Sequence, residues 1–238
     1  MKMLLDLALL VIIAICVWGG YKKGLVMGIG GVLILIVSIV IGNILSSTYS
    51  QDVISAMRPF ASGYTDDLLT DGVYAALGVE SSDFSIEDLL AQNPDIAQQA
   101  AQNTFLSLGL HEDVAEQLAE EAVQYSSEQN VSLADAVTQV VCSRIAFAIG
   151  FLLFFLLSVI ILTVIGNLTN LSFRIPYLGT GNEIGGAIAG FIEGLIFCAV
   201  IAWALRLGGI LFPDGMLEDT WLLSFMMDKN LLTAFLGI

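Results

Sequence analysis

Four long apolar runs dominate the hydropathy pattern of the chain. A helix needs about 20 apolar residues to cross the ~30 Å hydrocarbon layer of a bilayer. Four windows have about this length, and they comprise residues 3–21, 24–45, 145–165 and 184–205. The second and third windows hold no charge, whereas the first contains Asp6 and the fourth contains Glu193. The pattern therefore predicts an all-α integral membrane protein with four transmembrane helices.

The first window has an alternative interpretation as a signal peptide, because Lys2 precedes it. No small-x-small cleavage pattern follows, however, and a second apolar run begins at once. A lipoprotein signal is also disfavoured, because the bulky Ile15 precedes Cys16. We expect this window to remain as a transmembrane helix.

A polar insert, residues 47–141, separates the second window from the third. It contains sixteen of the 23 acidic residues, and Arg58 is its single basic residue. Capping-box patterns occur at Ser85-Ile86-Glu87-Asp88 and Ser132-Leu133-Ala134-Asp135, and Asn93-Pro94 places a cap before a first-turn proline. The insert is therefore predicted to be helical and to lie outside the membrane.

Two further patterns complete the insert and the tail. From Glu112 to Tyr125 the apolar residues fall on one helical face, and a last insert helix from Leu133 is predicted to run on into the third window. The tail, residues 211–238, is rich in apolar residues but is interrupted by Asp228 and Lys229. It is predicted to form an amphipathic helix in the interface, with Trp221 near headgroup level.

The predicted organisation has four parts. They are a transmembrane hairpin (1–46), the acidic insert (47–141), a second transmembrane hairpin (142–210) and the interfacial tail (211–238).

Composition excludes several classes of protein. Hydrophobic residues make up 57% of the chain and charged residues 13%, which rules out an ordinary water-soluble enzyme. A net charge of −15 repels phosphate backbones, so no nucleic-acid partner is expected. Three cysteines without a CxxC pair and one histidine make a disulfide framework or a zinc site improbable. We expect no cofactor and no bound metal.

The insert offers little catalytic chemistry. His111 is the single histidine, so no Ser/His/Asp or Cys/His arrangement forms unless distant groups converge. The clusters Asp66-Asp67 and Asp83 to Asp88 lack the alternating acids and central glycine of an EF-hand loop. Solvated helix faces explain these acids better than divalent-cation binding does. We expect no enzymatic activity.

Basic residues beside the membrane indicate the orientation. Lys22 and Lys23 lie in the short connection between the first two windows, and Arg174 lies between the third and fourth. Placing both connections in the cytoplasm puts the insert and both termini outside. The total count of basic residues does not favour this choice, but the lysine pair lies in a very short loop, where the rule is strongest.

Glycines recur every four residues in two of the windows. The sets are Gly20, Gly24 and Gly28 in the first hairpin, and Gly186, Gly190 and Gly194 in the second. Such stripes let helix backbones approach closely, which drives association in lipid. We expect tight packing of these helices on each other or across a dimer. Alternatively, the glycines from Gly19 to Gly24 only mark the hairpin turn.

Asp6 and Glu193 are the intramembrane acids, and hence the residues most suited to specific chemistry. A charge within the bilayer costs at least about 2.5 kcal/mol, so such acids usually face a partner or a water-filled cavity. Asp6 is expected near the outer boundary, where it can simply be hydrated. Glu193 is expected near mid-bilayer, either neutral and hydrogen-bonded within the bundle or lining an ion path.

These features resemble the CvpA family, the colicin V production protein and its bacterial inner-membrane relatives. One matching motif is an early acid, Asp6, followed by Gly19-Gly20-Tyr21-Lys22-Lys23-Gly24. The other is Gly181-Asn182-Glu183-Ile184-Gly185-Gly186, with a weaker match at Trp221 to Ser224. Two departures are the acids at positions 183 and 193, and an insert longer than the short connection typical of the family.

The resemblance implies a bacterial inner-membrane protein with a role in toxin (colicin V) production or export and in cell-envelope homeostasis, without catalysis. A scaffold would use its glycine stripes to hold an envelope partner or a second protomer. A channel or transporter for ions or small solutes would need Glu193 to face water. A membrane-bound enzyme is a more remote alternative, which a cleft gathering His111 with acids would support. The lipid bilayer is the one partner expected in every case.

Overall fold

The structure is a computed structural model that describes residues 2–77, 86, 89–90, 93–168, 179–207, 220–228 and 232. Every regular element within these ranges is an α-helix. The helices are α1 (Lys2–Lys23), α2 (Leu25–Leu77), α3 (Pro94–Ser107), α4 (Glu112–Gln129), α5 (Leu133–Leu168), α6 (Gly179–Leu207) and α7 (Leu222–Asp228). The predicted all-α class is confirmed.

Four of these helices are long and apolar enough to cross a membrane. The apolar windows lie within Leu5–Lys23 of α1, Leu25–Leu77 of α2, Leu133–Asn167 of α5 and Thr180–Arg206 of α6. Four candidate membrane helices are therefore present, in the predicted order along the chain.

Helix α2 is far longer than its apolar window. It does not end near Leu45 but runs for 53 residues from Leu25 to Leu77, with Pro59 inside it. The continuation has a physical cause, because Ile54, Thr65, Leu69 and Val73 form a buried face at helical spacing. Much of the first half of the predicted insert is therefore an extension of a membrane helix.

The chain comprises two compact units. The first contains the described residues of Met1–Ser46, Gly150–Leu205 and Gly215–Gly237, and the second contains those of Ser47–Ile149 and Arg206–Asp214. We call them the membrane unit and the insert unit. The unit boundaries fall inside α2, α5 and α6.

The membrane unit has an apolar core in which α7 participates. Leu223 and Met227 of α7 are buried with Leu9 of α1 and with Cys198 and Ala202 of α6. A second group is aromatic, because Phe151 contacts Trp203 edge-on with ring centroids 4.9 Å apart. The described part of the tail therefore packs on the helix bundle through one face, while Trp221 is 83% exposed.

The insert unit is held together by small side chains. Helices α3 and α4 bury Ala97, Ala100 and Ala101 against one another's apolar faces, together with Phe105, Val114, Leu118 and Ala122. Alanine allows close approach of the two helices. The amphipathic pattern predicted from Glu112 is confirmed in α4.

The predicted caps have mixed outcomes. Ser132 caps α5 as predicted, because its Oγ accepts a hydrogen bond from the Asp135 N–H at 3.1 Å. Asn93 is the N-cap residue of α3 and Pro94 begins the helix, as predicted. The Asn93 side chain makes no capping hydrogen bond, and its amide donates to the Leu89 carbonyl at 3.0 Å. The proposed box at Ser85-Ile86-Glu87-Asp88 lies outside the described residues.

Candidate functional site

The first and last membrane helices approach each other through glycines. A Cβ added to Gly20 would meet the Cα of Gly190 at 2.9 Å, and one added to Gly190 would meet the carbonyl carbon of Cys16 at 2.9 Å. A Cβ on Gly194 would meet the Cα of Ile13 at 2.9 Å. These neighbours are backbone atoms, which cannot rotate away as a flexible side chain can. Helices α1 and α6 are therefore in direct backbone contact along the stripe.

Asn182, in the motif of residues 181–186, contacts the turn between α1 and α2. Gly24 has φ +82°, a left-handed conformation that favours glycine. The Leu25 N–H, the first of α2, donates to the Asn182 side-chain oxygen at 2.9 Å. Asn182 thus satisfies one of the unpaired amide groups that begin a helix. Gly24 serves the turn, whereas Gly20 and Gly190 serve the helix contact.

A second bond joins the same two motifs. The Tyr21 hydroxyl donates to Oε2 of Glu183 at 2.9 Å. Glu183, one of the two acids that depart from the family pattern, therefore pairs with the tyrosine in the other motif. The two glycine motifs, far apart in sequence, form a single contact site.

Asp6 caps the helix in the tail. Its carboxylate accepts hydrogen bonds from three successive backbone N–H groups, those of Trp221 at 2.9 Å and of Leu222 and Leu223 at 3.1 Å each. These amides open α7, where unpaired donors and the positive end of the helix dipole favour an anion. Asp6 lies near the start of α1, and it is the capping residue of α7.

Glu193 lies against α2 in the membrane unit. A Cβ on Gly31 would meet the Glu193 carboxyl carbon at 2.7 Å, so the side chain fills the space that this glycine leaves. Its Oε1 is buried and has no hydrogen-bond partner within the described part of the chain. Gly31 was not singled out from the sequence, although its place in the second window, beside the regularly spaced Gly28, was a usable signal.

The basic residues that indicate the orientation lie either at the end of α1 or outside the described residues. Lys22 and Lys23 occupy the last turn of α1, and the Lys22 ammonium lies 5.1 Å from the ring centroid of Trp18. The ammonium thus has an aromatic face as a neighbour. Arg174 lies outside the described residues.

The insert unit contains a buried arginine with an acidic partner. Arg206 is 5% exposed, and its guanidinium donates to Oδ2 of Asp113, whose Oδ1 lies 2.6 Å from His111 Nδ1. Burial alone would raise the pKa of Asp113. The hydrogen bonds and charges of Arg206 and His111 outweigh burial, so the pKa of this carboxyl is below its usual value.

We predict that Asp113→Asn lowers the free energy of unfolding by about 1–2 kcal/mol at neutral pH. Removing one partner of a buried pair costs about 3–5 kcal/mol, but the Asp113 side chain is 52% exposed, so solvent screening reduces the effect. Denaturation of the purified protein in micelles, followed by circular dichroism, measures the difference.

The stability difference between wild type and Asp113→Asn should shrink as the pH falls. Because the folded pKa of Asp113 is depressed, its stabilisation is fully present above the unfolded pKa of about 3.9 and is lost as the pH falls through the folded pKa. The gap between wild type and Asp113→Asn should therefore close below about pH 4. Asp52→Asn, at an exposed acid of the same unit, is the control, and an equal loss there would contradict the prediction.

Two other ion pairs lie in the insert unit. Arg58 donates to Asp135 at 2.9 Å, and Arg144 pairs with Glu121. Among the residues that the structure describes, no group of three His, Cys, Asp or Glu side chains is placed to hold a metal ion.

This arrangement is that of a helical membrane protein. Its helices α1 and α6 pair through glycines, and Asp6 of α1 caps α7. A sequence profile of the family described as "Colicin V production protein" matches residues 104–230, just over half of the chain. The chain belongs to this family, as its motifs predicted. The match includes the second motif and α4 to α6, whereas the first motif lies outside it. No curated protein and no solved structure matches the chain.

Proposed function

We propose that the protein is a scaffold of the bacterial inner membrane that supports the production or export of a colicin V-type toxin and cell-envelope homeostasis. The observation that carries the proposal is the backbone contact between Gly20 and Gly190, together with the Asn182 and Glu183 bonds at its end. A frame held by backbone contacts and hydrogen bonds suits a protein that positions others. The family membership supports the link to the toxin.

In this proposal the membrane unit is the anchor and the insert unit faces an envelope partner. Both termini and the insert lie outside the cytoplasm, as favoured by the lysine pair beside Gly24. The protein has no catalytic role of its own. Its contribution is to hold components of an export or envelope assembly at the membrane.

A second candidate function is an ion or small-solute channel. The specific observation in its favour is Glu193, whose Oε1 is buried in the membrane unit without a hydrogen-bond partner in the described part of the chain. Ionisable groups within membrane helices commonly mark ion or proton paths. A channel would need this carboxyl to meet water.

One substitution separates the two functions. Purified wild type and Glu193→Gln are reconstituted in liposomes, and proton and monovalent-cation flux are measured, with Glu183→Gln as the control acid at the start of α6. The scaffold proposal predicts flux equal to that of empty liposomes for all three proteins. Flux in wild type that falls at least tenfold in Glu193→Gln alone would establish the channel instead.

A cellular measurement completes the test. Toxin secretion is compared in cells lacking the gene, in cells with wild type and in cells with Glu193→Gln. The scaffold proposal predicts a loss of secretion without the gene and full recovery with either protein. Recovery with wild type but not with Glu193→Gln would contradict it.

A further inference from the structure

One face of α2 in the insert unit exposes aromatic and apolar side chains at the protein surface. Phe60 is 87% exposed, Tyr64 59%, Tyr49 52% and Val53 46%, and Ala56 is also exposed. At 100° per residue these five positions fall within an arc of about 80°. We call them the α2 aromatic face.

Lipid is a poor occupant for this face. The apolar window of α2 ends at Leu45, and the following stretch carries Gln51, Asp52, Ser55 and Arg58. A segment with this many polar groups does not match the ~20 apolar residues of a bilayer crossing. Contiguous apolar patches on a solvated surface usually mark contacts with another protein.

Gly63 gives the face room for close approach. It lies inside α2, and among the described residues no atom outside the adjoining backbone of α2 lies within 4 Å of the position that its Cβ would take. A glycine in a helix interior costs about 1 kcal/mol relative to alanine. For the glycines of α1 and α6, close backbone contact between the two helices offsets that cost. A second helix packed on this face would offset it for Gly63 in the same way.

The spacing of the face fits pairing of like helices. Positions 49, 53, 56 and 60 of the face, followed by the neighbouring Gly63, alternate steps of four and three residues, which is the repeat of a two-stranded coiled-coil seam. The five residues of the face are uncharged, and the repeat ends at the exposed Asp67, which occupies the next position of the same alternation. Along residues 49–63, a second copy of the chain can therefore pair with this face without placing two like charges in the seam.

The area is sufficient for a specific contact. Taking about 200 Å² as the full area of an aromatic side chain, the three rings expose about 400 Å². With Val53 and Ala56, complete burial of the face in two copies would cover on the order of 1,000 Å², the minimum for a specific interface. We propose that two copies of the protein pair through the α2 aromatic face, with Phe60 close to the two-fold axis. This inference does not depend on the proposed scaffold role.

Cysteine crosslinking tests the pairing. Phe60→Cys is compared with Ser55→Cys, an exposed position about 140° away on the same helix, in liposomes at low protein density under mild oxidation. Wild type gives the background from Cys16, Cys142 and Cys198. We expect at least tenfold more covalent dimer for Phe60→Cys than for Ser55→Cys, because a two-fold axis brings equivalent residues together. Equal yields would overturn the proposal.

A second measurement does not depend on cysteine chemistry. Single-molecule photobleaching counts subunits for wild type and for Phe60→Glu, which places two like charges at the axis. We expect two bleaching steps for wild type and one for Phe60→Glu, with unchanged circular dichroism. A single step for wild type, two steps for both proteins, or crosslinking of Phe60→Cys in cells only to a different protein would each overturn the pairing.

Discussion

Replacing Gly20 by alanine should lower the stability of the protein by about 3 kcal/mol, the upper end of the usual cost of overpacking. The added Cβ would meet Gly190 Cα and N at 2.9 Å and the Gly186 carbonyl oxygen still closer. These are backbone atoms of α6, so relief requires the two helices to separate, and the neighbouring glycine contacts would then be lost. Thermal unfolding of the purified protein in nanodiscs measures the effect.

The adjacent glycine provides a matched control. In the described part of the chain, a Cβ on Gly19 would meet no atom within 4 Å apart from the adjoining backbone of α1. Gly19→Ala should therefore leave stability unchanged or raise it by up to about 1 kcal/mol through helix propensity. The two variants differ by one position and have the same composition. Equal stabilities would show that the glycines serve helix geometry rather than the contact between α1 and α6.

Local sequence patterns predicted much of the fold. Four apolar windows identified the membrane helices, since the length of an apolar run directly reflects bilayer thickness. Ser132 and Pro94 marked helix starts because capping is decided within one turn of chain. The continuation of α2 past Leu45 was missed, because its buried face at Ile54 and Leu69 is mixed with polar residues.

The site itself depends on contacts that sequence spacing does not contain. Asp6 was expected to be hydrated, yet its partners are amides more than 200 residues away. Asn182 was quoted as part of a motif without a role, and its bond to the Leu25 N–H depends on how α6 packs beside the hairpin. Such roles follow from tertiary packing, which brings together groups that no local pattern connects.

The glycines show which features follow from local sequence patterns and which depend on tertiary packing. Their four-residue spacing identified one helix face in each hairpin, because helical periodicity is a local property. The sequence did not show which glycine lies in the turn and which glycine contacts a neighbouring helix. Gly24 has φ +82° and meets Asn182, Gly20 meets α6, and Gly19 meets nothing within 4 Å, so three similar residues have three different environments.

Replacing Asp6 by alanine should release α7 from the membrane unit. The carboxylate accepts three backbone hydrogen bonds at the start of α7. Losing a helix cap costs about 0.5–2 kcal/mol, and bonds to a charged acceptor are stronger than neutral ones. With a loss of about 2 kcal/mol, the amides of residues 221–223 should exchange with solvent deuterium about 30-fold faster. Hydrogen exchange with mass spectrometry measures this change.

Asp6→Asn gives a graded comparison. The two oxygens of Asp6 divide the bonds: Oδ1 accepts from Leu222 and Leu223, and Oδ2 accepts from Trp221. Asparagine keeps one carbonyl oxygen, so it can retain the two bonds of Oδ1 and should accelerate exchange less than alanine does. In neither variant should exchange in α3 and α4 change. Unchanged exchange at residues 221–223 in Asp6→Ala would contradict the cap, because the burial of Leu223 and Met227 would then hold α7 in place without it.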